Sequence, residues 1–153
     1  PRARGRWSGA VRRPGGIRMG PAVLVPGMSE KTVLLPGPRH PITVVPAEVR
    51  VVVRVGGQVV ADSRSALTLR EADYPPVHYI PRADVDLTRL ERSSHESYCP
   101  FKGDASYFDI PSAGEGGIGV VWSYEQPYDA VSGIKDHLAF YANRAATVEE
   151  LPL

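Results

Sequence analysis

The strongest constraint on the fold of this chain is a valine-rich run that ends at a glycine pair. Valines occupy alternate positions over residues 49–55, which is the period of a strand with one strongly apolar face. Gly56-Gly57 follow at once, and a second β-rich run occupies residues 58–61. Because a Gly-Gly pair supplies the positive φ angles of a two-residue turn, residues 49–61 are predicted to form an antiparallel hairpin.

Shorter strand-like runs continue along the chain. Residues 33–48 carry four prolines and predict an extended lead-in rather than a helix. Short runs at residues 66–69 and 77–80 predict two further strands, and residues 104–110 and 118–124 predict another pair. This pattern is typical of a mainly β domain.

The glycine-rich segment between the last two runs has two interpretations. Gly114, Gly116 and Gly119 match the pattern GxGxxG, which in a dinucleotide-binding fold follows a strand and opens a helix. Strand-like sequence lies on both sides of this segment. A hairpin loop over residues 111–117 is therefore favoured, and a nucleotide-binding loop is the alternative.

One segment near the end has helical spacing. Val131, Ile134, Leu138 and Tyr141 recur at intervals of three and four, and Asp129 is suited to the N-cap. This predicts a single C-terminal helix that packs its apolar stripe against a sheet. The predicted fold class is accordingly mainly β or small α+β, with antiparallel sheets and one helix.

Length and composition exclude several classes of protein. The 153 residues suit one domain, and a single cysteine excludes both an internal disulfide framework and a site built from several thiolates. No apolar run approaches the roughly 20 residues of a membrane-spanning helix, so no membrane partner is expected. The four histidines show no ligand spacing, and CxxC, HxH and HExxH are absent from the sequence. We therefore expect neither a metal site nor a cofactor.

Charge divides the chain into two parts. Residues 1–27 contain six arginines, six glycines and four prolines but no acidic residue, and they predict a disordered extension. The alternatives are an arm that contacts nucleic acid and an upstream translation product that precedes a natural start at Met28. Residues 28–153, the predicted single globular domain, hold 12 basic against 17 acidic residues. We expect no nucleic-acid partner for this domain, a cytoplasmic location, and a monomer or homodimer.

The richest concentration of reactive groups lies at residues 92–103, RSSHESYCPFKG. This segment is predicted to be a loop between strands, where functional sites are commonly carried. Seven of the twelve aromatic residues fall between Tyr98 and Tyr128, enough to wall a pocket beside it. The sequence thus predicts a ligand pocket around residues 92–103.

Three side chains of this segment are candidates for catalysis: Cys99, Lys102 and His95. Cys99 is a potential nucleophile, because His95 and Lys102 lie close in sequence and either group lowers the pKa of a neighbouring thiol. The alternative is that Cys99 is buried and structural, as free cysteines usually are. Pro100, directly after it, favours a tight structural turn.

Charged and hydroxyl side chains of the same segment are candidates for ligand binding. Arg92 and Lys102 can hold an anion while Ser93 and Ser97 donate hydrogen bonds. The alternative is that the serines shape the chain and the cations pair with acids of the protein surface. Tyr107 and Trp122 are candidates for the pocket wall, with a core position as the alternative.

The pattern Arg92-Ser93-x-His95-x-Ser97-x-Cys99-Pro100-Phe101-Lys102-Gly103-x-Ala105-Ser106-Tyr107 resembles that of a bacterial and fungal family known as domain of unknown function 427. That family has carried a loose nucleotidyltransferase-like label. Residues 60–63, 74–81, 122–127 and 134–141 match its pattern as well, and the resemblance spans about residues 36–150.

The resemblance implies a fold similar to the coiled β-sheet proteins grouped with Mss4 and methionine sulfoxide reductase B. Many of those proteins hold zinc with two CxxC pairs, which this chain lacks. Ser94 occupies a position where relatives often have an acid. The recurring positions of the family correspond here to Arg92, Ser93, Ser97, Cys99, Lys102, Tyr107 and Trp122.

Three functions follow as hypotheses. The first is a binding domain for a small polar or anionic metabolite, with its pocket around residues 92–103. The second is an enzyme of transferase or hydrolase type that uses Cys99 or Lys102. The third is a protein–protein adaptor whose loop braces the sheet. Because these hypotheses differ in kind, the sequence leaves open whether the protein is an enzyme.

Overall fold

The computed structural model describes residues 31–143 and 145–153, which form ten β-strands and four short 3₁₀ helices. The strands are β1 (Ile42–Pro46), β2 (Arg50–Val55), β3 (Gln58–Ser63), β4 (Leu67–Glu71), β5 (Val77–Tyr79), β6 (Glu91–Cys99), β7 (Gly103–Asp109), β8 (Val121–Ser123), β9 (Ala139–Phe140) and β10 (Ala146–Leu151). The 3₁₀ helices are Arg82–Asp84, Leu87–Arg89, Pro111–Gly117 and Asp129–Ile134.

The strands form three antiparallel sheets. The first has the order β1-β4-β5, the second β10-β2-β3, and the third β6-β7-β8-β9. One cluster of buried apolar side chains takes residues from all three sheets. The prediction of a mainly β fold with antiparallel sheets is confirmed.

The predicted valine hairpin is present as β2 and β3. Gly56 and Gly57 form its turn with φ angles of +58° and +81°, as a Gly-Gly turn requires. Val51, Val52 and Val53 are all almost completely buried, so β2 is covered on both faces. The lead-in before it contains β1, which pairs with β4 at the edge of the first sheet.

The predicted C-terminal helix is wrong in its length and type. Only Asp129–Ile134 is helical, as a 3₁₀ segment whose N-cap residue is Tyr128 and makes no side-chain capping bond. The chain then turns at Asp136, which has a φ of +59°. Leu138 exchanges two backbone hydrogen bonds of 2.8 Å with Ile80. This pairing takes the backbone groups that a continuing helix would have used.

The predicted loop at residues 92–103 is also wrong, because most of the segment is strand. It forms β6, which pairs with β7 through a tight turn at residues 100–102. The register shifts between Arg92 and Glu96, which is a bulge. The strand is not evident from the sequence, because its side chains are mostly polar and do not alternate with apolar ones.

The glycine-rich segment joins two antiparallel strands, as predicted. Pro111–Gly117 is a short 3₁₀ helix between β7 and β8. The GxGxxG pattern therefore lies in a hairpin connection rather than in a strand–helix crossover.

The predicted extension at residues 1–27 lies outside the described residues. Among the described residues, no helix is long and apolar enough to cross a membrane.

Gly117 provides a test of this packing. A Cβ atom at Gly117 would lie 2.1 Å from the carbonyl oxygen of Ile110 and 3.0 Å from Cβ of Ala113. We expect Gly117→Ala to lower the free energy of unfolding by about 2 kcal/mol or more, because backbone must move to relieve the overlap. Urea denaturation measures this change. Gly37→Ala is the control, since a Cβ there meets nothing within 4 Å, and equal stability of the two variants would contradict the packing described.

Candidate functional site

A buried network of charged and polar groups lies beneath the turn that follows β6. Lys102 in that turn is completely buried, and its Nζ donates to Oε1 of Glu71 at the end of β4. The other carboxylate oxygen, Oε2, accepts a hydrogen bond of 2.6 Å from Nε2 of His40. His40 lies just before β1, so the network joins the first sheet to the third.

The electrostatics of this network keep Glu71 ionised. Burial alone would raise the pKa of the Glu71 carboxyl, because an ion loses its water there. Lys102 and then His40 outweigh that cost, and the pKa is held below its usual value. The imidazole of His40 also stacks in parallel on the ring of Phe101, with 4.1 Å between centroids. The predicted ligand cation Lys102 thus has a protein carboxylate as its partner.

The thiol of Cys99 lies at the end of β6, next to this network. Its residue is 2% exposed, and burial raises the pKa of the thiol, an effect that the nearby charge of Lys102 only partly opposes. A raised pKa leaves the thiol protonated at neutral pH, whereas a nucleophilic cysteine needs the thiolate. The geometry is that of a packed thiol.

An aromatic cluster extends from the network into the core of the protein. Nε1 of Trp122 donates to the hydroxyl of Tyr79 at 3.2 Å, and the ring of Tyr141 lies 4.1 Å from that of Trp122. Tyr124 contacts Tyr79 and lies beneath the Lys102 ammonium, 5.9 Å from it. Burial raises the pKa of Tyr79 and of Tyr124 well above the ordinary value, so both keep their hydroxyl protons.

A strip of polar side chains runs along one face of β6. Ser93, His95 and Ser97 are half-buried, while the residues between them are exposed. Oγ of Ser97 and the hydroxyl of Tyr107 on β7 are 2.9 Å apart, and the rings of His95 and Tyr107 are 4.5 Å apart. The Oγ of Ser93 accepts a hydrogen bond from the backbone N–H of His95. The pleat thus places these groups on the side of the sheet that also carries Trp122, the cross-strand partner of Tyr107.

Arg92 lies on the opposite face of the sheet. Its register partner is Phe108, the neighbour of Tyr107, and successive residues of a strand point to opposite faces. Its guanidinium stacks on the Phe108 ring at 4.9 Å and makes hydrogen bonds of 2.7 and 3.4 Å to Glu125. These bonds lower the pKa of the Glu125 carboxyl. Arg92 and Lys102, which were predicted to bind one ligand together, are therefore apart.

The candidates thus separate into three groups. Ser93, His95, Ser97, Tyr107 and Trp122 share the inner face of the third sheet, and Cys99 and Lys102 lie at the turn at its end. Arg92 stands alone on the outer face.

The sequence did not mark His40, Glu71 or Tyr79 as members of a site, because they are far from the 92–103 segment and have no motif spacing to it. Among the described residues, no group of three His, Cys, Asp or Glu side chains is arranged to hold a metal ion.

Comparison with known proteins gives a family without an assigned activity. A family model described as "Domain of unknown function (DUF427)", with the short label NTP_transf_9, matches residues 43–150. The match covers more than two thirds of the 153 residues. None of the curated proteins matches the chain.

The charge network gives a stability prediction. Lys102→Met leaves the Glu71 carboxylate buried without its strongest partner, and we expect a loss of about 3–5 kcal/mol in the free energy of unfolding. Adding Glu71→Gln removes that charge and should recover about 1 kcal/mol or more. Urea denaturation of the single and double variants measures both changes. Lys135→Met, at an exposed lysine, is the control, and a double variant no more stable than Lys102→Met would refute the coupling.

The burial of Cys99 predicts slow chemistry at its thiol. We expect iodoacetamide at pH 7.5 to modify the folded chain at least about tenfold more slowly than the chain in urea, because access is blocked and the thiolate is scarce. Mass spectrometry over time measures both rates. A folded chain that reacts as fast as the unfolded chain, or faster, would show that Cys99 is an accessible and activated thiol.

Proposed function

We propose that this chain, which belongs to the family described as "Domain of unknown function (DUF427)", is a small-molecule binding protein. Its ligand is a polar metabolite that lies against the inner face of the third sheet, beside the 92–103 segment. The groups that contact it are the side chains of Ser93, His95, Ser97 and Tyr107, with Trp122 behind them.

The observation that carries this proposal is the hydroxyl pair of Ser97 and Tyr107. The two oxygens are 2.9 Å apart, and the imidazole of His95 packs on the Tyr107 ring. Hydroxyl and imidazole groups both donate and accept hydrogen bonds. Together they match the chemistry of a ligand hydroxyl, carbonyl or carboxylate group, and the half-buried β6 residues give an approach from solvent.

The surroundings support a site of this kind. Small-molecule sites are usually apolar and contain a few well-placed polar groups, and here the polar strip adjoins Trp122 and its aromatic neighbours. The Lys102–Glu71–His40 network fixes the turn at the end of β6 and so positions the strand. Because Glu71 already balances the charge of Lys102, the proposal favours a polar ligand over a highly charged one.

The enzyme hypothesis depends on Cys99 or Lys102, and no observation favours it. Burial raises the pKa of the Cys99 thiol, and Lys102 is paired with Glu71. The adaptor hypothesis needs a continuous exposed apolar surface. The large apolar side chains exposed among the described residues are Leu35, Val45, Val59, Leu87, Ile118 and Leu153, and no observation joins them into one surface.

The proposal also includes the setting of the protein. A single buried cysteine is compatible with a reducing cytoplasm. The excess of acidic residues after residue 27 favours a small molecule over nucleic acid as the partner of the domain.

A thermal-shift screen tests the binding function directly. The full chain is screened against sugars, sugar phosphates, nucleosides, nucleotides, amino acids and carboxylic acids. A bound ligand stabilises only the folded state, so we expect a higher melting temperature with one chemical class. If no class raises the melting temperature, the proposal fails.

Three variants then locate the site by calorimetric titration of the compound found. Ser97→Ala and Tyr107→Phe each remove one hydroxyl, and we expect each to raise Kd roughly 3- to 10-fold, the value of one hydrogen bond. Ser106→Ala is the matched control, because its hydroxyl lies on the opposite face of β7 and bonds to Glu125. An unchanged Kd in both hydroxyl variants, or an equal loss in Ser106→Ala, would place the ligand elsewhere.

A further inference from the structure

We propose a second ligand site, an open cleft that binds a small organic carboxylate. The cleft has a volume of about 460 Å³, within the range of small-molecule sites. It lies between the β2–β3 turn, the 3₁₀ helix Pro111–Gly117 and the start of β10. Its lining residues are Arg54, Val55, Gly56, Gly57, Ser112, Ala113, Ala145 and Thr147. None of them belongs to the site around Ser97, so the two proposals are independent.

Two walls of the cleft, the 3₁₀ helix Pro111–Gly117 and the start of β10, are held together by Asn143. Its Nδ2 donates to the carbonyl oxygen of Gly116 at 2.8 Å, and its Oδ1 accepts from the backbone N–H groups of Ala145 and Ala146 at 2.8 and 2.9 Å. The contact is close, since a Cβ on Gly116 would lie 2.9 Å from Cβ of Ala145. The cleft is thus formed before any ligand binds, which lowers the entropic cost of binding.

The third wall is the Gly-Gly turn of the hairpin. A Cβ atom added to Gly56 or to Gly57 would meet nothing within 4 Å. A ligand can therefore approach the backbone of this turn without displacing a side chain.

Charge and polarity define the chemical class of the ligand. Among the described residues of the lining, Arg54 alone is charged, and its bond to Glu149 uses Nε, which leaves its Nη groups as further donors toward the cleft. Ser112, another lining residue, accepts a hydrogen bond of 3.0 Å from the guanidinium of Arg89. The guanidinium of Arg54 can therefore donate hydrogen bonds to the carboxylate of a ligand.

The remainder of the lining is apolar, from Val55, Ala113 and Ala145. An apolar region next to a guanidinium matches a carboxylate that carries a compact apolar group. A phosphate ion has no apolar group to cover these side chains.

Benzoate is the probe for this site, and its uncharged isostere benzamide is the control ligand. Both are titrated into the ¹⁵N-labelled full chain and followed by two-dimensional amide NMR. We expect benzoate to give saturable shifts of the Gly56, Gly57 and Thr147 amides and to bind at least about fivefold more tightly than benzamide. Equal affinity of the two compounds, or shifts confined to other residues, would overturn the proposal.

Two variants test the assignment of residues. Arg54→Gln should weaken benzoate binding at least about fivefold, while Arg50→Gln should leave it unchanged. Arg50 is the matched control, because it lies on the same strand, pairs with Asp62 and does not line the cleft. Thr147→Trp, at an exposed position, fills the cleft and should abolish the shifts at Gly56 and Gly57. If Arg54→Gln and Thr147→Trp both bind benzoate as the parent does, the cleft is not a carboxylate site.

Discussion

The removal of one lysine ammonium from water is the constraint on which much of this structure depends. A buried Lys102 is tolerable only if a carboxylate meets it, and Glu71 can do so only where β4 ends beneath the turn after β6. His40 completes the arrangement from the segment before β1. Three distant parts of the chain must therefore be in place together. The turn they fix also determines where Cys99 and the inner face of β6 lie.

Features that depend on neighbouring residues were predictable from sequence, whereas features that depend on distant pairing were not. The valine hairpin needs only alternation and a Gly-Gly turn, and it is present. The helical spacing after Asp129 correctly identified buried positions, since Val131, Ile134, Leu138 and Tyr141 are all buried. It did not identify the conformation, because Leu138 pairs with Ile80, a residue far away in the sequence.

The candidate site was predictable in part for the same reason. The density of polar groups at residues 92–103 pointed to the right segment, although the strand within it has no apolar alternation. Ser97 and Tyr107 come together because β6 and β7 pair. Arg92 lies on the outer face of that strand whereas Lys102 is buried in the turn after it, a separation that a loop assignment concealed. Glu71 has no local pattern that marks it as the partner of Lys102.

The bulge in β6 has a consequence for self-association. β6 is the terminal strand of the third sheet as described, and a regular terminal strand offers backbone groups to which another chain can pair. Here residues 93–95 stand opposite Tyr107 alone, and the N–H of His95 is bonded to its own neighbour, Ser93. The regular spacing of backbone N–H and C=O groups, which another strand needs for pairing, is thus interrupted in the middle of β6. The irregularity that arranges the polar strip therefore also makes this edge less suited to pairing with a strand of another chain.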